Sequence, residues 1–126
     1  MRPIKGTVNS VELIGWLGAD PETRYMPSGI AVTTLSVGTK RIGPRQEDGT
    51  WSYETDWFDV EAFDRLAETA SANLQKGNRV RVVGSLRTDT WQDRDGNLRK
   101  RIIVRADDLL FLDVRQPHEE AVLVEL

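Results

Sequence analysis

Cysteine is absent from this 126-residue chain. That excludes disulfides, thiolate chemistry and any cysteine-ligated metal site. Histidine occurs once, at His118, followed by Glu119 and Glu120. With one histidine and no cysteine, neither a nucleophilic triad nor a histidine-rich metal site can be assembled. No apolar run is long enough to serve as a signal-peptide core or to span a bilayer, so the chain is read as cytoplasmic, with no membrane partner. Internal repeats and low-complexity segments are also missing. The carboxylates Asp56, Asp59 and Glu61 are the remaining route to a metal site. Strand alternation puts Asp59 and Glu61 on one face and Asp56 on the other, so no site assembles from them. The chain is therefore read as a non-enzyme that needs no cofactor.

What is present is enough apolar sequence for one domain with one core. A net charge of −3 does not suggest a polyanion as ligand, but its distribution does. Residues 1–45 carry six basic and three acidic side chains, and residues 76–105 carry nine and three. Residues 46–75 carry one and eight, and residues 106–126 one and six. A near-neutral total thus hides basic stretches, and local field rather than net charge steers a polyanion.

Hydrophobic periodicity places the elements. Thr7–Leu17 and Ile30–Thr39 read as antiparallel strands, with Pro27-Ser28-Gly29 as a turn before the second. Residues 40–56 contain Gly43-Pro44, Asp48-Gly49 and scattered charges and read as a long loop holding Trp51 and Tyr53. Trp57–Phe63 alternates, with Phe58, Val60 and Ala62 on the core side and Trp57, Asp59, Glu61 and Phe63 on the other. Leu66, Ala70 and Leu74 then repeat at helical spacing, with Asp64 as N-cap and Gly77 as stop. Arg79–Arg87 is a strand with Val80, Val82, Gly84 and Leu86 inward. Asp93–Asn97 is a hairpin turn, Leu98–Arg105 the return strand, and Leu109–Leu112 an extension of it. One helix between the third and fourth of five strands is the order of an OB-fold, a five-stranded Greek-key barrel, and one that other small barrels and α+β domains share. Residues 1–112 form this domain and residues 113–126 a short acidic segment.

Two residue classes outside the core point to single-stranded nucleic acid. Flat rings can stack on exposed bases and cations can replace counterions around phosphates. Trp57 and Phe63 share a face that the core does not use. Trp91 lies in a polar hairpin with little core to bury it, and Trp51 follows Lys40, Arg41 and Arg45. Trp16 reads more simply as packing. The bland reading of Arg99, Lys100 and Arg101 is a solvated edge strand.

The chain resembles the bacterial-type single-stranded DNA-binding proteins. The resemblance is carried by Asn9–Tyr25, Pro27–Val32, Glu54-Thr55-Asp56-Trp57-Phe58, Phe63–Glu68, Lys76-Gly77, and Gly84–Thr88 through Trp91-Gln92-Asp93. It implies an OB-fold assembled as a homotetramer that binds single-stranded DNA on its outer surface. Stacking aromatics carry over to Trp57, Phe63 and Trp91, and phosphate contacts to Lys5, Arg65 and Arg87. Trp51, Arg41 and Arg45 join them from the 40–56 segment, with help from Arg79, Arg81, Arg99 and Arg101. The departures are Arg41-Ile42-Gly43 where the family often has a tryptophan, and Phe58 where it often has histidine. Asp59, Asp89 and Thr90 stand where it often has basic residues. The end Glu119–Leu126 lacks the family's acidic Pro-Phe tail, which leaves recruitment of replication proteins by that route in doubt. The rival reading is a replication-restart type of protein-interaction module that binds DNA weakly. Nothing in the sequence reads a 2′-hydroxyl, so preference for DNA over RNA rests on the resemblance alone.

Overall fold

The computed structural model describes residues 5–113. The expected acidic segment lies outside the described residues apart from Asp113. The elements run β1 (Val11–Leu17), β2 (Glu22–Tyr25), β3 (Ala31–Arg45), β4 (Trp51–Phe63), α1 (Arg65–Asn73), β5 (Arg79–Gln92) and β6 (Leu98–Phe111). Hydrogen-bonded neighbours follow the order β1-β5-β6-β4-β3-β2, and β1 also pairs with β3. That last pairing closes β1, β5, β6, β4 and β3 into a five-stranded barrel, with β2 continuing along β3. All pairings are antiparallel except β4–β6, joined in parallel at Val60↔Val104 and Glu61↔Arg105. This is the OB-fold, with α1 between the third and fourth barrel strands. Among the described residues, no helix is long and apolar enough to cross a membrane.

The core consists mainly of β-branched and small residues: Val37, Val60, Ala62, Val80, Val82 and Val104, with Leu17 and Leu35. Helix α1 closes one opening of the barrel through Ala67, Ala70 and Leu74. Thr33 fixes it in place: its hydroxyl, fully buried, donates to the Ala67 carbonyl at 2.9 Å. Having one proton, Thr33 must accept in its 2.7 Å contact with the Thr23 hydroxyl, which ties β2 to the same point.

The 40–56 segment corrects the sequence reading. It is not a loop but a continuation of β3 and β4, paired from Thr39↔Asp56 through Ile42↔Tyr53 to Arg45↔Trp51. A register shift between Ile42 and Arg45 absorbs Gly43-Pro44, which obscured the alternation. Only Gln46–Thr50 forms the turn, closed by Gln46 N–H to Thr50 O at 2.7 Å. A second shift lies in β6. Gly84 faces Ala106 and Val83 faces Asp108, so Asp107 is the extra residue. The bulge changes the parity of β6, which brings Val104 and Ala106 inward before it and Leu109 after it. Leu86 keeps the core parity opposite Val104 but is 44% exposed, outside the buried cluster. Asp64 is the N-cap position without a side-chain cap, and its φ is 59°. Gly77 does not end the helix. Leu74 caps it, and Gly77 serves the following turn with φ +90°.

Closure of the barrel depends on glycine. A Cβ at Gly15 would stand 2.0 Å from the Gly38 carbonyl oxygen, so β1 and β3 touch only because that side chain is missing. Gly15→Ala must push the β1–β3 seam apart. The expected cost is about 2–3 kcal/mol, the upper end for overpacking. It is checked as a lower urea midpoint at unchanged m-value.

Candidate nucleic-acid interface

Residues of odd number on β4 point away from the core, which fills with Val60 and Ala62. Trp57 is half exposed and lies over glycine. A Cβ at Gly38 would meet its ring at 2.7 Å, and one at Gly18 at 2.5 Å. Gly38 pairs with Trp57 on one side and with Trp16 on the other. With no side chain between them, the two indoles meet edge to face, centroids 5.9 Å apart and planes at 78°. Lys40 Nζ lies 5.7 Å from the Trp16 centroid. The result is a fixed aromatic shelf with a cation at its border. Trp16, read from sequence as packing, is part of it.

The same face continues outward along the β3–β4 ribbon. Pairing places Lys40 opposite Thr55, Ile42 opposite Tyr53 and Arg45 opposite Trp51. Alternation therefore puts Trp57, Tyr53 and Trp51 on one side with Lys40 and Arg45. Trp51 is 55% and Tyr53 68% exposed, and the Arg45 guanidinium lies 5.8 Å from the Trp51 centroid. The reverse side carries Glu54 and Asp56, which hold Arg41 at 2.6 and 2.9 Å. Asp56, whose hydrogen bond is the larger influence, and Glu54 together raise the Arg41 pKa above its already high ordinary value. The ribbon thus has an aromatic, cationic front and an anionic back with one neutralised arginine. The sequence reading named Tyr53 and Lys40 but could not put them on one face with Trp51 and Trp57, because a loop has no parity to follow.

Inward along β4, Phe63 is partly buried and the Arg105 guanidinium lies over its ring at 3.6 Å. Neighbouring Glu61 is buried and paired with Arg24 at 3.3 Å. One face of Phe63 is therefore already occupied, which sequence alone could not show because Arg105 lies 42 positions away on β6. Trp91 is 45% exposed on the β5–β6 arm, directly opposite Arg99. Asp93 binds Arg99 at 2.8 Å and accepts the backbone N–H groups of Asp95 and Asn97. The Arg99 hydrogen bond, followed by that of Asn97, holds the Asp93 carboxyl below its ordinary value.

Apart from Arg45, which lies over Trp51, the expected cations separate into two sets. Arg41, Arg81, Arg99 and Arg101 are bound to carboxylates, Arg81 to Glu12 and Arg101 to Asp59 and Asp89. Lys5, Arg65, Arg79 and Arg87 are exposed and make no side-chain ion pair among the described residues. Arg87 lies on the arm four residues before Trp91. Arg79 lies across from Trp16 in the β1–β5 pairing, and Arg65 opens α1 two residues after Phe63. Asp56, Asp59 and Glu61, weighed above as a metal site, are each engaged by a different arginine.

The shelf makes one direct prediction. Gly38→Ala displaces the Trp57 ring and removes an edge-to-face contact worth about 0.5–1.5 kcal/mol. The expected result is a lowered thermal midpoint with movement of the Trp16 and Trp57 indole N–H signals, while those of Trp51 and Trp91 stay in place.

Comparison with known proteins agrees with this fold. The model of the single-strand binding protein family matches residues 8–112. The chain is 35% identical over 114 residues to Single-stranded DNA-binding protein 1 of Xylella fastidiosa (strain 9a5c), covering 90% of this chain and 84% of that one. Among solved structures it is similar to the Plasmodium falciparum SSB in complex with ssDNA, with a TM-score of 0.76 and 27% identity over 88% of this chain and all of the other. With a barrel of this topology and a family match that spans it from end to end, the chain belongs to the single-strand binding protein family.

Proposed function

We propose that this chain binds and protects single-stranded DNA without sequence preference, through the outer face that carries Trp57. One observation supports this above the others. A half-exposed indole is held on two glycines, with a second indole and a lysine beside it, where the core gains nothing from it. A ring fixed in that way loses little freedom when a base stacks on it, and each stacked base contributes about 1–3 kcal/mol. Sequence tolerance follows because every base offers a π-face. Family membership supports the same reading, with replication, recombination and repair as the family's general setting. The family is one of non-enzymatic DNA-binding proteins, and we read this chain as a binder without a chemical step or cofactor.

The proposed path has two tracts. One follows β4 and the ribbon front: Phe63, Trp57, Tyr53 and Trp51, with Lys40 and Arg45 for phosphates. The other is the arm, with Trp91 stacking and Arg87 on the phosphate. Lys5, Arg65 and Arg79 supply further positive charge. Arg41 faces the anionic side of the ribbon, and Arg81, Arg99 and Arg101 are shared with carboxylates, so they contribute less. We further propose a cytoplasmic homotetramer, as the family resemblance implies. Ile14 and Leu110 flank Arg81 on β1, β5 and β6, and both are half exposed. Assembly would cover that apolar surface.

Titration with oligo-dT at low and high salt, alongside a duplex of equal length, tests the reading. The expected result is deep tryptophan quenching by oligo-dT alone, reversed by salt. Trp91→Ala should weaken binding about tenfold, within the range for one lost stack. Absence of quenching at low salt would reject DNA binding and favour a protein-interaction role for this barrel.

A further inference from the structure

Between the two aromatic tracts, the outer face is crossed by a carboxylate–guanidinium–carboxylate bridge. Arg101 on β6 places Nη1 3.5 Å from Asp59 Oδ2 on β4 and Nε 3.2 Å from Asp89 Oδ2 on β5. One guanidinium therefore spans three strands. Asp89 and Arg101 are direct cross-strand partners. Asp59 lies two residues from Trp57 on the same face, and Asp89 lies midway between Arg87 and Trp91. A strand passing from Trp57 to Trp91 must cross this point. It meets two carboxylates and one cation there, a local excess of one negative charge.

The bridge contributes little to the fold. All three side chains are roughly half exposed, and solvent-exposed ion pairs contribute about 0–1 kcal/mol. Its influence on a polyanion is larger, because a phosphate arriving at the crossing must compete with both aspartates for Arg101. Among the described residues the other ion pairs do not join β4 to the arm: Arg41 with Glu54 and Asp56 is on the back of the ribbon, Glu61 with Arg24 is buried at the carboxylate end, Arg81 with Glu12 joins β5 to β1, and Arg99 with Asp93 stays within the arm beside Trp91.

We propose that Asp59 and Asp89 restrain DNA binding by holding Arg101, and that this latch makes the crossing between the tracts the weakest part of the path. Released from the aspartates, Arg101 becomes a phosphate contact in line with Arg87. The proposal rests on the single-stranded DNA reading above. It makes Asp59 and Asp89 determinants of how readily a bound strand extends from one tract to the other.

The test uses the full chain, with oligo-dT of about six and about sixteen nucleotides, lengths within the range of one or more OB-fold sites. In the combined Asp59→Asn and Asp89→Asn variant, the long oligomer should bind about fivefold tighter, the ratio reached by a strong exposed charge pair. Its salt slope should steepen by about 0.7, one added phosphate contact. The short oligomer, confined to one tract, should be unchanged. Adding Arg101→Gln should return the long oligomer to parental affinity and slope. Equal tightening for both lengths would show only a bulk field and overturn the latch. Tightening that survives Arg101→Gln would overturn it as well. Failure of the parent protein to bind either oligomer would overturn the DNA reading itself, and the latch with it.

Discussion

The contact between β1 and β3 is the constraint on which both barrel and shelf depend. Gly15 gives way to the Gly38 carbonyl, and Gly38 in turn gives way to the Trp57 ring. A side chain at the first position would open the barrel, and one at the second would lift the indole from its seat. Closure of the fold and presentation of the aromatic surface are therefore set by the same few ångströms of backbone. Trp16 and Trp57, on strands that are not hydrogen-bonded to each other, meet only because Gly38 lies between them. The aromatic shelf has the rigidity of the sheet beneath it.

Charge on this face is arranged rather than abundant. Arginines in ion pairs lie on the ribbon, on the arm and at the junction of β4, β5 and β6. Arg87, Lys40 and Arg45 stand beside rings or near them without a carboxylate partner among the described residues. Counting basic residues overstates the positive field, and counting acidic ones hides it. The ribbon shows this most clearly, because one pair of strands keeps cations and aromatics in front and carboxylates behind. In the reading proposed above, a strand of DNA meets only the front of the ribbon.

Much of this was legible in the sequence. Two-residue alternation in Trp57–Phe63 separated the core from the aromatic face, and helical spacing placed Leu66, Ala70 and Leu74 against the barrel. What the sequence hid has identifiable causes. Gly43-Pro44 sits in a register shift, so residues 40–56 lost their alternation and Tyr53 its place beside Trp51. The extra residue Asp107 reversed the parity of β6 and made Leu109–Leu112 look detached. Partners such as Arg105 on Phe63, or Asp59 on Arg101, depend on the parallel β4–β6 pairing. No local pattern encodes that contact. Trp16 looked like packing because its neighbour across Gly38 is 41 residues away.

Photocross-linking tests the central claim most directly, because it reports position rather than affinity. An oligo-dT carrying halogenated uracil would be irradiated in complex with the chain, and the modified peptides mapped. Adducts at Trp57, Tyr53 or Trp51 together with Trp91, and none at Tyr25 or Ile14, are the result this account predicts. Adducts confined to Tyr25, Ile14 or the Arg41 side of the ribbon would contradict it, since the strand would then follow a different face of the barrel.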